Sequence, residues 1–360
     1  MAHLYDRDWT QRELLRYVGR MEQVAGIRPV EAGDGMARGG RALEVWTGTG
    51  LIFHVLADRG LDISTCRYQG ISMAWNSSVG EVHPSYYEPA GLGWLRSFQG
   101  GLFVTGGLDQ YGSPSEDAGE ALGLHGRASN LPARCVNCRT SWAGDEYVLE
   151  VSGEVRQTRV HGENLVLRRC ISTRLGSNRI EIEDEVSNEG FAPHPHMMLY
   201  HFNLGFPLLS EKSELHLESE QTVARDAHAE TGIAAWKNLQ PPTAGYSEQV
   251  FRHVPQADSD GKVRVELRNP SLRTSSSPPQ GDRGALGLRL TYDRSDLPYL
   301  FQWKMMGQGT YVLGIEPGTC GTIEGRAQAR EDGGLILLAP GESRSYRLEV
   351  EVVVYREGEI

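Results

Sequence analysis

Three residues in otherwise apolar or glycine-containing surroundings have side chains that could exchange protons with a ligand. Glu316 ends an apolar run, and a carboxylate beside such a run is partly desolvated, which raises its pKa and makes it a better base near neutral pH. His201 lies in an apolar stretch two residues before Asn203, so both side chains are expected on one face of a strand. His125 precedes Gly126, which lets the backbone approach a ligand. Glu316, His201 and His125 are therefore the candidate catalytic residues.

Each of these residues also has a purely structural interpretation. Glu316 could be a strand-end residue in a turn, and a single loop histidine such as His125 is weak evidence for a site. His201 and Asn203 could satisfy each other, because burying both without partners would be costly. The acid–base hypothesis therefore requires that a carboxylate near the end of the chain meets two imidazoles across one concave sheet surface.

Fixed guanidinium groups and aromatic rings suit a polyhydroxyl or anionic ligand, because the former donate several hydrogen bonds and the latter pack on sugar C–H faces. The candidate substrate-binding residues are Arg59, Arg96, Arg127, Asn203, Trp303 and Lys304. Each arginine could instead form a surface ion pair, which is the usual role of this residue. Buried core positions are the simpler explanation for at least half of the tryptophans in the middle of the chain.

A metal site is not predicted. His194 and His196 could share a strand face, but His201 has the opposite parity unless a bulge intervenes. Cys135 and Cys138 form one C-x-x-C pair, and structural zinc would need two more ligands. We expect no metal.

Composition excludes several classes of protein. The net charge of −11 and the pI of about 5.5 disfavour a nucleic-acid partner, which normally requires a basic surface. No apolar run approaches the roughly 18–20 residues of a membrane-spanning helix, and the charged N-terminus lacks the apolar region of a secretory signal. The five cysteines are an odd number and are expected to be reduced thiols. The expected compartment is the cytoplasm.

The N-terminus has the only clear helix pattern. Thr10 and Glu13 form a capping-box pattern. Four apolar residues that follow fall on one helical face: Leu14, Leu15, Val18 and Met21. We predict that residues 1–30 form a helical arm packed on a single domain that spans residues 31–360.

Alternating apolar and polar residues dominate the rest of the chain and predict strands with one buried face. Examples are Arg179–Val186 and Leu348–Val352. Many such strands, separated by turns and without a repeated βαβ pattern, predict an all-β fold built as a large antiparallel sandwich. The segment Asn269–Ala285, rich in Ser, Pro and Gly, predicts a mobile loop.

Five ordered motifs give the sequence a resemblance to the aldose 1-epimerase (galactose mutarotase-like) superfamily, and most of all to its DUF4432-type branch. The resemblance extends from about Leu51 to the C-terminus. The motifs are ADRGLDI at Ala57–Ile63, WLRSFQGGLFVTGGL at Trp94–Leu108, LHGRASN at Leu124–Asn130, LYHFNLGFP at Leu199–Pro207 and YVLGIEPGT at Tyr311–Thr319. It implies a large β-sandwich that interconverts sugar anomers without a cofactor.

The resemblance also implies roles for individual residues. Glu316 resembles the family base that deprotonates the anomeric hydroxyl, and His125 resembles a substrate-contacting histidine followed by glycine. His201 is the best match to the acid that protonates the ring oxygen. The family pattern His-x-Tyr-Phe-Asn would place this histidine at the position of Leu199, so His125 stays an alternative acid.

The leading hypothesis is therefore a carbohydrate mutarotase whose partner is a small sugar or sugar derivative, either neutral or anionic. The first alternative keeps the fold but changes the reaction to another sugar epimerisation, isomerisation or elimination, as in a lyase. The second is a non-catalytic carbohydrate-binding protein. Exposed sheet edges also make a homodimer possible.

Overall fold

The computed structural model describes residues 1–274 and 285–355, and in this part of the chain it consists mainly of β-strands. The strands are β1 (Ala2–Leu4), β2 (Arg7–Trp9), β3 (Gly26–Glu31), β4 (Arg41–Trp46), β5 (Leu51–Leu56), β6 (Asp62–Tyr68), β7 (Ile71–Ser72), β8 (Trp75–Asn76), β9 (Gly100–Gly101), β10 (Phe103–Gly106), β11 (Ser115–Asp117), β12 (Glu120–Leu122), β13 (Arg134–Ala143), β14 (Glu146–Thr158), β15 (Asn164–Arg174), β16 (Arg179–Asn188), β17 (His194–His196), β18 (Leu199–Gly205), β19 (Glu214–His216), β20 (Ser219–Ala224), β21 (Gln249–Pro255), β22 (Lys262–Arg273), β23 (Ala285–Asp293), β24 (Tyr299–Met306), β25 (Tyr311–Gly318), β26 (Ile336–Leu338) and β27 (Ser343–Tyr355). The α-helices are α1 (Gln11–Leu14), α2 (Ala227–Glu230) and α3 (Gly325–Glu331).

Two large antiparallel sheets pack into a sandwich, which confirms the predicted fold class. The larger sheet has the strand order β20-β21-β24-β25-β18-β10-β6-β5-β4-β3, with β7 added beside β6. The smaller sheet has eight strands in the order β13-β14-β15-β16-β27-β23-β22-β19. Residues of both sheets contribute to one continuous hydrophobic core. Strand β25 pairs with β18 in the larger sheet, which brings distant parts of the chain together.

Strand β18 shows how the larger sheet divides its two faces. Tyr200 and Phe202 point into the core between the sheets. Leu199 belongs to a separate apolar cluster on the other face, and His201 lies on that face as well. Both faces of this strand are buried, because loops cover the outer side of the sheet. The polar residues of β18 are therefore held between sheet and loops.

Polar residues inside the sandwich link the two sheets. Arg169 on β15 donates to Asp184 on β16 over 2.8 Å and to Asp62 on β6 over 3.0 Å. Tyr200 on β18 donates its hydroxyl to Asp184 over 2.6 Å. Because these groups are fully buried, their mutual hydrogen bonds offset the cost of removing them from water. The network fixes β18, which carries His201, relative to the smaller sheet.

The predicted N-terminal helix is confirmed but is shorter than its apolar pattern suggested. The capping box forms: the Glu13 amide donates to Thr10 Oγ1 over 3.2 Å, and the Thr10 amide donates to Glu13 Oε2 over 3.1 Å. The helix ends at Leu14, because the amides of Arg16 and Tyr17 bond to carbonyls only three residues back. Downstream, strand β3 begins at Gly26 and pairs with β4 in the larger sheet.

The longest α-helix in the described residues is α3, and no helix there is long and apolar enough to cross a membrane. All five cysteines lie in the described part and are free thiols. The start of the predicted loop Asn269–Ala285 continues strand β22 to Arg273. Residues 275–284 of that prediction lie outside the described residues.

Candidate active site

Two neighbouring strands bring the predicted base and acid into contact. In the β18–β25 ladder Leu199 pairs with Gly318 and Phe202 pairs with Ile315, which sets His201 opposite Glu316. Directly opposed side chains on one face of an antiparallel pair lie next to each other. His201 Nε2 and Glu316 Oε1 are 3.3 Å apart, and both side chains are buried. The pairing of β18 with β25 therefore points Glu316 at His201.

A glycine makes room for the Glu316 carboxylate. Gly314 shares the site face of β25 with Glu316, and a Cβ at this position would lie 2.6 Å from Glu316 Oε1. The same Cβ would lie 2.8 Å from Cβ of Trp303 on the adjacent strand β24. Any larger residue would displace the carboxylate or the indole. Gly314 thus allows the acid–base pair and an aromatic wall to occupy adjacent strands.

His125 reaches the pair from a loop. Its backbone has a left-handed φ of 55°, and its amide donates to the Gly112 carbonyl over 2.9 Å. The Gly112 amide lies 3.4 Å from His125 Nδ1, which makes Nδ1 the acceptor and leaves the ring proton on Nε2. The imidazole rings of His125 and His201 are 5.3 Å apart. All three predicted catalytic residues therefore meet, although they come from distant parts of the sequence.

The chain reaches this loop geometry with the help of Gly126. A Cβ at Gly126 would lie 2.3 Å from the Gln110 carbonyl oxygen, and its φ of 74° favours glycine. Helix α3 then fixes the segment around Gln110 from outside. The Arg326 amide donates to Gln110 Oε1 over 2.7 Å, and its buried guanidinium donates to Asp109 over 2.9 Å and to Asp117 over 2.7 Å. The loop that carries His125 is thereby anchored to the C-terminal part of the chain.

The pair lines a cavity of about 460 Å³ on the outer face of the larger sheet. This volume falls in the range of small-molecule sites. Its aromatic walls are Trp75, Trp94, Phe98 and Trp303. The remaining lining is Ser77, Val79, Leu92, Leu95, Gly112, Ser113, Pro114, Leu124, His125, His201, Arg225, Glu248, Val250, Thr310, Glu316 and Ile323.

Burial shifts the protonation of the pair. Removal from water raises the pKa of Glu316 well above its ordinary value, and the nearby Glu248 carboxylate raises it further, whereas Arg225 lowers it. Removal from water lowers the pKa of His201 well below its ordinary value, and the adjacent His125 adds to this effect. Burial also lowers the pKa of His125 to about 4. Both shifts disfavour the charged form of each group, so the pair favours a state that holds one proton in total.

Asn203 and Lys304 do not line the cavity, in contrast to the sequence-based expectation. Asn203 Nδ2 donates to the His201 carbonyl over 2.9 Å and to the Gly101 carbonyl over 3.2 Å, so it supports the backbone of β18. Lys304 is buried, its ammonium lies 3.3 Å from the Ala235 carbonyl, and burial lowers its pKa. It differs from its neighbour Trp303, which does line the cavity, because successive strand residues point to opposite faces.

The three predicted arginines also lie outside the cavity. Arg59 is buried and donates to the carbonyls of Val82 over 2.8 Å and Ser97 over 3.0 Å, so it ties loops together. Arg96 is 75% exposed and pairs with Glu88. Arg127 lines a separate cavity of about 170 Å³. The structure thus gives these guanidinium groups no contact with the Glu316–His201 pair.

Two charged residues that line the cavity, Arg225 and Glu248, were not predicted from the sequence. Arg225 follows strand β20 and Glu248 precedes strand β21, and their side chains are 3.2 Å apart. Glu248 Oε2 also accepts a hydrogen bond of 2.8 Å from the Trp303 indole. No local motif marks these two residues. Only the pairing of β20, β21 and β24 brings them to the site.

Within residues 1–274 and 285–355, no group of three or more His, Cys, Asp and Glu side chains is arranged to hold a metal ion. The geometry of His196 explains why it is unavailable as a ligand. Its Nδ1 lies 2.8 Å from the Leu108 carbonyl and its Nε2 lies 2.6 Å from the Tyr346 hydroxyl. His194 instead faces Asp109, at 3.4 Å.

The two-sheet architecture is that of a galactose mutarotase-like β-sandwich. Residues 37–352 match the family described as a domain of unknown function, DUF4432, and the chain belongs to this family.

Solved structures with this fold include a putative aldose 1-epimerase from Klebsiella pneumoniae, which is 25% identical at a TM-score of 0.84, over 93% of this chain and 86% of that one. A galactose mutarotase-like protein from Clostridium acetobutylicum is 13% identical at a TM-score of 0.62, over 92% and 99% of the two chains. Galactose 1-epimerase from Lactobacillus acidophilus is 12% identical at a TM-score of 0.52, over 92% and 99%. The last two show the shared fold alone. No protein with a curated description matches this sequence.

Proposed function

We propose that the protein is a carbohydrate mutarotase of the aldose 1-epimerase type, which interconverts the α- and β-anomers of a free sugar. The observation that carries the proposal is the contact of 3.3 Å between His201 and Glu316 in an aromatic-walled cavity of about 460 Å³. Mutarotation requires a base for the anomeric hydroxyl and an acid for the ring oxygen. These two oxygens are bonded to the same carbon, so an adjacent carboxylate and imidazole can serve both.

The proposed reaction opens and closes the hemiacetal ring. Glu316 accepts the proton of the C1 hydroxyl while an imidazole donates a proton to the ring oxygen, and the bond between C1 and the ring oxygen breaks. The product is an open-chain aldehyde with a new hydroxyl group. Rotation about the C1–C2 bond presents either face of the aldehyde, and the reverse proton transfers close the ring. The net reaction consumes no cofactor.

The number of protons that the Glu316–His201 pair holds favours this ring-opening reaction. Burial disfavours both the doubly protonated pair, which carries a positive charge, and the fully deprotonated pair, which carries a negative charge. A pair that holds one proton avoids both net charges, and transfer of this proton from the carboxyl to the imidazole gives the form in which Glu316 is the base. His201 touches the carboxylate directly, which supports it as the acid. His125, which lines the cavity and holds its ring proton on Nε2, is the alternative donor.

Polarimetry and exchange NMR on freshly dissolved anomers test the proposal. The wild-type protein is expected to accelerate mutarotation of a sugar in a panel that includes acidic sugars. Glu316→Gln is expected to lower this rate by about 10²–10⁴-fold, the usual contribution of a general base. Glu218→Gln, at an exposed glutamate, is the matched control and should retain full activity. No acceleration across the panel by the wild-type protein would exclude a mutarotase.

Epimerisation at carbon is the second candidate. The raised pKa of the buried Glu316 favours it, because such a base could also remove a proton from a carbon next to a carbonyl. Incorporation of solvent deuterium at carbon would identify this reaction, since mutarotation moves only protons bound to oxygen. A non-catalytic sugar-binding protein would show neither exchange, and its affinity would change little in Glu316→Gln.

A further inference from the structure

The mouth of the active-site cavity exposes aliphatic side chains that an ordinary hexose would not need. Leu92 is 60% exposed, Leu95 is 47% exposed and Val79 is 37% exposed, and all three line the cavity. Exposed aliphatic side chains that adjoin one cavity are a feature of ligand- or partner-binding sites. Aromatic walls alone would fit the C–H face of any sugar. An aliphatic rim gains free energy only from an apolar group on the ligand.

Most polar groups of the lining are already bonded within the protein. The Ser77 hydroxyl donates to the Phe98 carbonyl over 2.6 Å, and the Ser113 hydroxyl donates to Glu324 over 2.9 Å. The Trp94 indole donates to Ser129 Oγ over 3.1 Å. These donors are therefore committed to internal partners, and a ligand hydroxyl beside them would lose its water without gaining their hydrogen bonds.

Few polar side chains of the lining remain, and the two charged ones, Arg225 and Glu248, flank strands β20 and β21. Arg225 and Glu248 bind each other, and Glu248 also accepts from the Trp303 indole. Their remaining hydrogen-bonding capacity suits one or two hydroxyls of a ligand. Glu316 and the imidazoles are committed to the anomeric centre in the proposed reaction. This supply is small for a fully hydroxylated hexose, which presents hydroxyls around its whole ring.

We infer that the site takes a reducing sugar in which an apolar group replaces or covers at least one hydroxyl, such as a deoxy sugar or an O-acylated sugar. The inference rests on the proposed function, because it assumes that the anomeric carbon lies at Glu316. In this arrangement the apolar group packs against Leu92 and Leu95 at the mouth, and the remaining hydroxyls bond to Arg225 and Glu248. The cavity then selects substrates by the absence of a hydroxyl.

Matched sugar pairs test this selectivity. The pairs are D-galactose with 6-deoxy-D-galactose, L-mannose with 6-deoxy-L-mannose, and D-glucose with 6-O-hexanoyl-D-glucose. An apolar pocket rejects an added hydroxyl by up to about 100-fold, and each buried CH₂ contributes about fourfold. We therefore expect kcat/KM for mutarotation to be at least about tenfold higher for the apolar member of one pair or more. Equal or higher kcat/KM for the hydroxylated member of every pair would overturn the inference.

Variants at the mouth connect the selectivity to the structure. Leu92→Ser combined with Leu95→Ser is expected to reduce the kcat/KM ratio within the selective pair toward one, because the apolar group loses its partners. These positions are exposed, so the fold should tolerate the change. Val160→Ser, at a residue that is 84% exposed and distant in sequence from the cavity lining, is the control and should keep the ratio. An unchanged ratio in the double variant would contradict the role of the rim.

Binding separates the failure of this inference from the failure of the proposed function. Trp75, Trp94 and Trp303 line the cavity, so intrinsic fluorescence reports ligand binding there. If the protein binds the apolar members more tightly but accelerates no mutarotation, the mutarotase proposal fails and the selectivity stands. If it accelerates mutarotation of both members equally and binds them equally, the mutarotase proposal stands and the selectivity is wrong.

Discussion

The space left by Gly314 leads to a specific kinetic prediction for the Gly314→Ala variant. The added Cβ would lie 2.6 Å from Glu316 Oε1, whereas ordinary van der Waals contact begins at 3.4 Å, so the carboxylate must retreat by the difference of about 0.8 Å. A displacement of about 1 Å at a reacting group can lower a rate by about 100-fold. The backbone at this position is not left-handed, so alanine causes no conformational strain of its own. We expect kcat/KM for mutarotation to fall by between about 30-fold and 100-fold.

The assay is polarimetry on the purified variant, together with its thermal unfolding curve, because the new Cβ also approaches Trp303 at 2.8 Å. Gly33→Ala is the matched control, since a Cβ there meets no atom within 4 Å, and its activity should stay within about twofold of the wild type. A double-mutant cycle with Glu316→Asp separates crowding from a general loss of stability. The shorter side chain leaves space, so Gly314→Ala should cost much less in that background. Full activity in a folded Gly314→Ala variant would refute the assigned position of the carboxylate.

Three further predictions follow from the charges of the described residues. The pH profile of kcat/KM should be bell-shaped. On the low-pH limb the Glu316–His201 pair gains a second proton, and this limb should lie below the ordinary His pKa of 6.5. On the high-pH limb the pair loses its one proton, and this limb should lie above the ordinary Glu pKa of 4.5. If polarimetry shows a single limb centred near pH 6.5, Glu316 and His201 do not share a proton. Arg326→Met should lower the free energy of unfolding in urea by about 3–5 kcal/mol, because it leaves Asp109 buried without its guanidinium partner, and a loss below about 1 kcal/mol would contradict this. Arg96→Ala should change kcat/KM by less than about twofold, because the side chain is exposed and paired at the surface, and a tenfold rise in KM would restore its predicted binding role.

The alternation of apolar and polar residues was sufficient to predict the sandwich. Side-chain direction on a strand follows directly from sequence position, so Gly314 and Glu316, two residues apart on β25, share one face. Which strands pair is not encoded locally. The contact between His201 and Glu316 required β18 and β25 to be neighbours, and here the resemblance to a known family supplied what periodicity could not.

The roles of the arginines could not be predicted from the sequence. Arg59 was a candidate substrate-binding residue, yet its guanidinium is bonded to backbone carbonyls that come from residues 82, 97 and 129. Nothing in the local sequence distinguishes a guanidinium that binds a ligand from one that ties loops together. For the same reason Arg225 and Glu248 were not foreseen: each lies at the end of an ordinary strand, and only the order of strands in the sheet brings them to the cavity.

The position of the anomeric carbon in crystals of Glu316→Gln with a bound reducing sugar tests the central claim most directly. The account predicts that the C1 hydroxyl lies within about 3.2 Å of the residue 316 side chain, with the ring oxygen within hydrogen-bonding distance of His201 or His125. A sugar bound in this cavity with its C1 hydroxyl far from residue 316, or one bound only elsewhere on the protein, would contradict it.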